Sequence, residues 1–331
     1  MQDIKIICIF NNKLITKMTQ YIFDTNYYRN KYHELSNIND FDKQIIIEKE
    51  KGVKVLFPTI VGLELLNHFQ DPDAVSGICY DSLKILMKHA YNNDGYAIVP
   101  TIYPLMCMDL YKKRSSLEDL NMNVFNLSAQ VTQNSLQEFN KKFQTYLSDV
   151  QKYIVTEKKI IIDNIQEKYI KVFSPNSSTP DWEILKNDAK LNSEFRTFIR
   201  NKDMHKIIGL SFIKMAAEQT QSDELPFDKQ YFENIFINDY KVSIDFFIEK
   251  ILKKLVDLPE LENFYNPASD KKKRWNSFYD MQLILATEYE NKCNRKTIYV
   301  TSEAKIIKSF KDNGKEDLVI HSDDYDTFLR S

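Results

Sequence analysis

The chain has 331 residues, 43% hydrophobic and 28% charged, which is enough apolar material for a large interior and enough charge to keep a surface wet, so disorder throughout is excluded. The formal net charge is -2, from 45 Lys plus Arg against 47 Asp plus Glu, so no whole-chain field draws in nucleic acid and any such contact must be local. The four cysteines (Cys8, Cys79, Cys107, Cys293) have no paired spacing and the five histidines are isolated, which argues against a zinc site or a disulfide framework and for free buried thiols in a reducing cytoplasm.

In chain order, the apolar run Ile4 to Phe10 is broken by Lys5 and is too short for a signal peptide or a membrane span. No later segment runs apolar for the length a bilayer requires, so no membrane association is expected, and Met18 reads as the start of a domain. Thr19 to Phe23 is a short β-prone run that ends abruptly at Asp24-Thr25-Asn26, with a helix expected from Tyr27. A second strand is expected over Val53 to Phe57. Beyond Pro58, Thr59 is placed to cap a helix through Val61, Leu65, Leu66 and Phe69, with Glu64 in its second turn. Another helix is expected after Asp71-Pro72-Asp73 as far as about Tyr91, and Gly95 to Pro100 resembles a third short strand. The order strand, helix, strand, helix, helix, strand favours an α/β layer.

From about Leu105 to Tyr265 the character is helical. Leu136, Phe139, Phe143, Leu147, Val150, Ile154, Ile161, Ile165 and Ile170 form an amphipathic stripe, and neither Pro nor Gly occurs from Arg114 to Ser174. That pattern predicts one very long helix or two stacked ones, with Phe139, Phe143 and Phe195 as core. The run Ser174 to Pro180 breaks it, and helices resume over Phe195 to Ile199, Ile207 to Ala217 and Val242 to Leu258. The α/β character then returns. A helix is expected over Trp275 to Glu290, with Asp280 facing the same way as Ile284, followed by a strand at Thr297 to Thr301 and a helix opened by Ser302 and Glu303. A last strand at Leu318 to Ile320 and a helix from Asp323 to Leu329 complete the chain. The expected organisation is a parallel-sheet core split into residues 18–104 and 266–331, with an all-α lobe, 105–265, inserted between the halves.

Four carboxylates occupy matching places: Asp24 at a strand tip, Glu64 in the helix after the next strand, Asp280 early in a late helix, and Glu303 just past a strand tip. In a parallel sheet the strand ends of one polarity form a single edge, so these acids can meet although 279 positions separate the first from the last (303 minus 24). Crowded carboxylates repel, and hard oxygen donors without Cys or His point to Mg2+ or Mn2+ as the neutralising ion. The run Lys271-Lys272-Lys273-Arg274 before Trp275 could hold phosphates beside a stacking ring, although charge runs are more often solvated loops.

The segments Tyr21-Ile22-Phe23-Asp24-Thr25-Asn26, Pro58 to Leu66, Tyr279 to Ala286 and Tyr299-Val300-Thr301-Ser302-Glu303 resemble, in order, the motifs of PIN-domain nucleases. The resemblance covers residues 19 to about 100 and 275 to 331. It implies a PIN-like core in which Asp24 and Asp280 are the principal metal ligands and Glu64 and Glu303 complete an acidic catalytic pocket. Thr25 and Asn26 match the polar pair after the first Asp, and Thr301 or Ser302 would orient a ligand or phosphate. The implied activity is metal-dependent hydrolysis of phosphodiester bonds leaving 5′-phosphate and 3′-hydroxyl ends, with RNA expected ahead of DNA as the substrate and DNA left open. This chain departs from the family at Glu303, where Asp is usual, and in the length of its insertion. Two other readings stand beside the nuclease. One is a catalytically inactive PIN-like scaffold binding RNA or a protein partner, or a second copy of itself, through the helical lobe. The other is a haloacid-dehalogenase-type phosphatase, which needs a second Asp where Asn26 stands.

Overall fold

The computed structural model describes residues 19–35, 37–71, 74–92, 95–113, 115, 118–165, 185, 187–201, 203–220, 229–253 and 276–331. The first stretch runs β1 (Thr19–Phe23), α1 (Thr25–Glu34), α2 (Phe41–Glu50), β2 (Val53–Val55), β3 (Phe57–Pro58), α3 (Thr59–Leu66), α4 (Ala74–Ala90), β4 (Tyr91–Asn92), β5 (Gly95–Tyr96), β6 (Ile98–Val99) and α5 (Ile102–Met106), which continues as a π-helical turn, Cys107–Tyr111. The helical stretch holds α6 (Glu118–Ala129), α7 (Leu136–Lys142), α8 (Gln144–Ile165), α9 (Ala189–Phe198), α10 (Asp203–Thr220), α11 (Lys229–Asn234) and α12 (Lys241–Phe246). Then come α13 (Asn276–Lys292), β7 (Thr297–Thr301), α14 (Ala304–Asp312), β8 (Val319–His321) and α15 (Ser322–Arg330). The described chain is mostly helical, with a small parallel sheet of four strands, and so belongs to the α/β class. None of its described helices is long and apolar enough to cross a membrane.

The sheet order is β2-β1-β7-β8, with every neighbouring pair parallel. β1 and β7 are the interior strands, paired from Gln20 opposite Thr297 to Phe23 opposite Val300. Both are almost wholly buried, as strands of a sheet covered on its two faces must be, which explains their dense run of Ile, Val, Phe and Tyr. The expected strand Val53 to Phe57 forms, but in two pieces. β2 pairs with β1, Leu56 N donates to Tyr21 O at 3.0 Å, and β3 then turns to pair with β6, where Phe57 N donates to Ala97 O at 2.9 Å. Pro58 has no N–H and cannot extend a ladder. The expected third strand, Gly95 to Pro100, divides for a related reason. Gly95 takes φ 102, a value that favours glycine, in the hairpin between β4 and β5, and only β6 goes on to meet β3.

The apolar stripe of the helical stretch is interrupted at Phe143, which closes α7 before α8 begins; the residues past Ile165 in that stripe lie outside the described ones. Phe139 and Phe195 are fully buried, with Phe69, Phe139 and Phe143 in ring contact at 5.3 and 4.9 Å, so the expected core aromatics are core. Among the described residues one continuous apolar cluster joins the sheet to the helical stretch. Glu288 of α13 strengthens that union. Its buried carboxylate accepts from Val242 N and Ser243 N, both at 3.0 Å, and from Lys315 Nζ at 2.9 Å, holding the amino end of α12 against the α/β part. Cys79 and Cys107 are free and buried, as expected, and Cys293 is free and half-buried.

Candidate functional site

The chain leaves β1 toward β2 on one side and returns through β7 on the other, so the crevice of this sheet lies beyond the carboxyl ends of β1 and β7. Asp24 and Glu303 stand there. Asp24 directly follows β1 and is the N-cap of α1; its Oδ1 accepts from Tyr27 N at 2.7 Å, which starts the helix at Thr25 rather than at the expected Tyr27. Its Oδ2 accepts from Thr301 Oγ1, the last residue of β7, at 2.6 Å. The same hydroxyl accepts from Glu303 N at 3.0 Å, so Thr301 ties the two strand tips together and positions Asp24. Glu303 is the N-cap of α14 and makes no side-chain cap bond; its Oε1 instead accepts from Asn26 Nδ2 at 3.2 Å.

Glu64 reaches the crevice from the second turn of α3. The helix begins with Thr59 as its first residue and Pro58 as its N-cap, so the expected capping by the Thr59 side chain does not occur, yet the turn that carries Glu64 is where it was expected. Glu64 is buried, and Thr25 Oγ1 donates to its Oε2 at 2.5 Å. Asp280 enters from α13 and meets a residue that belongs to none of the four acidic motifs' ligand positions: Lys305 Nζ lies 2.8 Å from Asp280 Oδ2 and 3.8 Å from Glu303 Oε2. Lys305 sits in the first turn of α14, where the macrodipole disfavours a cation, and that mismatch was its one signal in the sequence. Ser302 lies half-buried at the rim, and the expected phosphate-holding Lys272, Lys273 and Arg274 lie outside the described residues.

The four carboxylates act on one another. Burial pushes the Asp24 carboxyl up to about 6; the hydrogen bonds from Thr301 and Tyr27 oppose this, and repulsion from Glu303 and Glu64 adds to it. Burial likewise pushes Asp280 up to about 7, against the pull of Lys305 and with the push of Asp24 and Glu64. Tyr299, fully buried on β7, is raised well above the ordinary tyrosine range by burial and then by the field of Asp24, Asp280, Glu64 and Glu303 together. The sequence-predicted quartet is thus brought to one crevice from four separated elements.

The donor set is all oxygen, as a hard divalent ion requires, and the raised proton affinities of Asp24 and Asp280 express chiefly their withdrawal from water, with a smaller push from the neighbouring acids. The arrangement is not a closed cage: among the described residues no group of three or more His, Cys, Asp or Glu side chains is spaced to grip one ion. Asp280 is engaged by a lysine instead. No protein-family model matches the chain, and no curated protein or solved structure matches it.

Proposed function

We propose that the chain is a metal-dependent nuclease with a PIN-like core, hydrolysing phosphodiester bonds in RNA in preference to DNA. The observation that carries the reading is the meeting of Asp24, Glu64, Asp280 and Glu303 beyond the carboxyl ends of β1 and β7, where burial first, and then the charge of the neighbouring acids, raises the proton affinities of Asp24 and Asp280. Asp24 and Asp280 would hold Mg2+ or Mn2+, with Glu64 and Glu303 completing the pocket. When bound, the ion supplies a water of lowered pKa and neutralises charge on the phosphate. Glu64, whose Oε2 accepts from Thr25 Oγ1, would take the proton of that water or hold it in place. Asn26 holds Glu303, and Thr301 fixes the rotamer of Asp24. We assign the helical stretch, α6 to α12, to recognition of the substrate or of a protein partner. The Lys305–Asp280 ion pair favours a second reading, a catalytically inactive scaffold that binds RNA.

Purified protein incubated with labelled RNA and DNA, with Mn2+ or with chelator, separates the two. Cleavage of RNA that requires metal and drops by more than about 100-fold in Asp24→Asn supports the nuclease. RNA bound equally by both forms and cut by neither, at any metal concentration, selects the scaffold.

A further inference from the structure

Most acids in the interior of this protein are compensated by several donors. Asp109 receives Tyr240 OH at 2.6 Å and Lys292 Nζ at 2.7 Å, and Glu288 receives two backbone N–H groups, the Ser243 hydroxyl and Lys315. Among the described residues Asp280 has a single cation, Lys305, which leans at the same time toward Glu303. An ammonium neutralises one carboxylate where a divalent ion neutralises two. Three features make this contact exchangeable. The Lys305 side chain is 28% exposed against 14% for Asp280, so the lysine has a way out to water. Its position in the first turn of the nine-residue α14 sets the helix dipole against it, so the acids, not the helix, keep it there. The Tyr299 hydroxyl, 0% exposed and under the field of all four carboxylates, has no hydrogen-bond partner among the described residues, which leaves a polar group at the site unsatisfied while Lys305 is in place.

We infer that Lys305 is an internal stand-in for the divalent ion: it holds the acidic crevice together without metal, and the ion enters only as the lysine leaves Asp280 and Glu303. The inference rests on the metal-dependent reading of the site. It makes the metal affinity of the crevice the outcome of a competition inside the chain, so that the local metal concentration decides whether the four acids are available at all.

The test is a Mn2+ titration of the full chain, with free Mn2+ read by electron paramagnetic resonance, on wild type, Lys305→Met, Lys305→Arg and, as a control on the same helix, Lys308→Met, whose lysine pairs with Asp312 at 2.8 Å. Lys305→Met should bind Mn2+ about tenfold or more tightly than wild type, because the competing charge is gone, while Lys305→Arg and Lys308→Met stay within about twofold of wild type. Without metal, Lys305→Met should melt at a lower temperature than wild type and gain more from added Mn2+. A second measurement needs no variant: acetylation of Lys305 in wild type, mapped by mass spectrometry, should rise when Mg2+ is added. Equal Mn2+ affinity of wild type and Lys305→Met, or Lys305 reactivity that is unmoved by a metal that binds, overturns the inference and leaves the nuclease reading standing. Absence of Mn2+ binding by every form overturns both.

Discussion

Glu48 on α2 and Asp280 on α13 are both acids withdrawn from water, and their surroundings differ in kind. Glu48 accepts from His89 Nε2 at 2.9 Å, from Gln44 Nε2 at 2.8 Å and from Tyr325 OH at 2.8 Å. Burial alone would raise its pKa, yet the pull of His89 and these hydrogen bonds hold it below the ordinary carboxylate range. The cluster joins α2, α4 and α15 to α1, where Tyr27 OH accepts from Gln44 at 2.6 Å. At the carboxyl edge of the sheet burial wins instead, and Asp24 and Asp280 rise to about 6 and about 7. The same fold that satisfies a buried carboxylate at Glu48 leaves two incompletely satisfied at the crevice. On the proposed reading, a bound cation would relieve that imbalance.

The contrast can be broken most forcefully at Glu48. Glu48→Ala strands His89, Gln44 and Tyr325 in the interior and should lower the unfolding free energy by about 3–5 kcal/mol, read by urea denaturation; a loss below about 1 kcal/mol would show that water takes the place of the carboxylate. The crevice should respond with the opposite sign. The folded-state pKa values of Asp24 and Asp280 lie above the ordinary 3.8, so the folded protein binds more protons than the unfolded chain between those values. Their contribution is therefore most favourable below about pH 4 and is lost as pH rises through about 6 and about 7. Thermal melts of metal-free protein should show this loss, on the order of 2 kcal/mol once the Lys305 contact and water access are allowed for. Asp280→Asn should flatten the slope and stabilise the metal-free protein at pH 7.5, whereas an Asn variant that melts lower would mean that the ion pair with Lys305 outweighs desolvation. The smallest effect is expected from Tyr325→Phe, which removes one donor from Glu48 and should cost about 1 kcal/mol by the same denaturation assay.

Much of this architecture is legible along the chain, for definite reasons. Thr19 to Phe23 and Thr297 to Thr301 are strands with the ends expected of them, because each lies between two neighbours and both faces of the sheet are covered. The segments around Pro58 and Gly95 are less legible, since their pairing depends on which strand happens to be adjacent and not on alternation within the run. Phe143 ends a helix without Pro or Gly to announce it; the start of that helix at Ser135 is locally marked by a capping box with Glu138. The acids Asp24, Glu64, Asp280 and Glu303 could be picked out because each follows a recognisable strand or opens a recognisable helix. Lys305 could not, because a lysine on a helix bearing Lys308 and Lys311 looks like solvated surface until α13 and α14 are placed side by side. The Glu48–His89–Tyr325 cluster was also invisible, being assembled from three helices whose contacts no spacing encodes.

The central pairing of β1 with β7 matches Gln20 to Thr297, 277 positions apart (297 minus 20). During synthesis β1 therefore keeps one side open until β7, 277 positions further on, has been made, and loop closure over such a span is slow. Asp280 and Glu303 likewise appear long after Asp24 and Glu64. A nascent polypeptide holding Asp24 and Glu64 alone has half of its acidic group, so the crevice is assembled only when the second part of the sheet docks on the first.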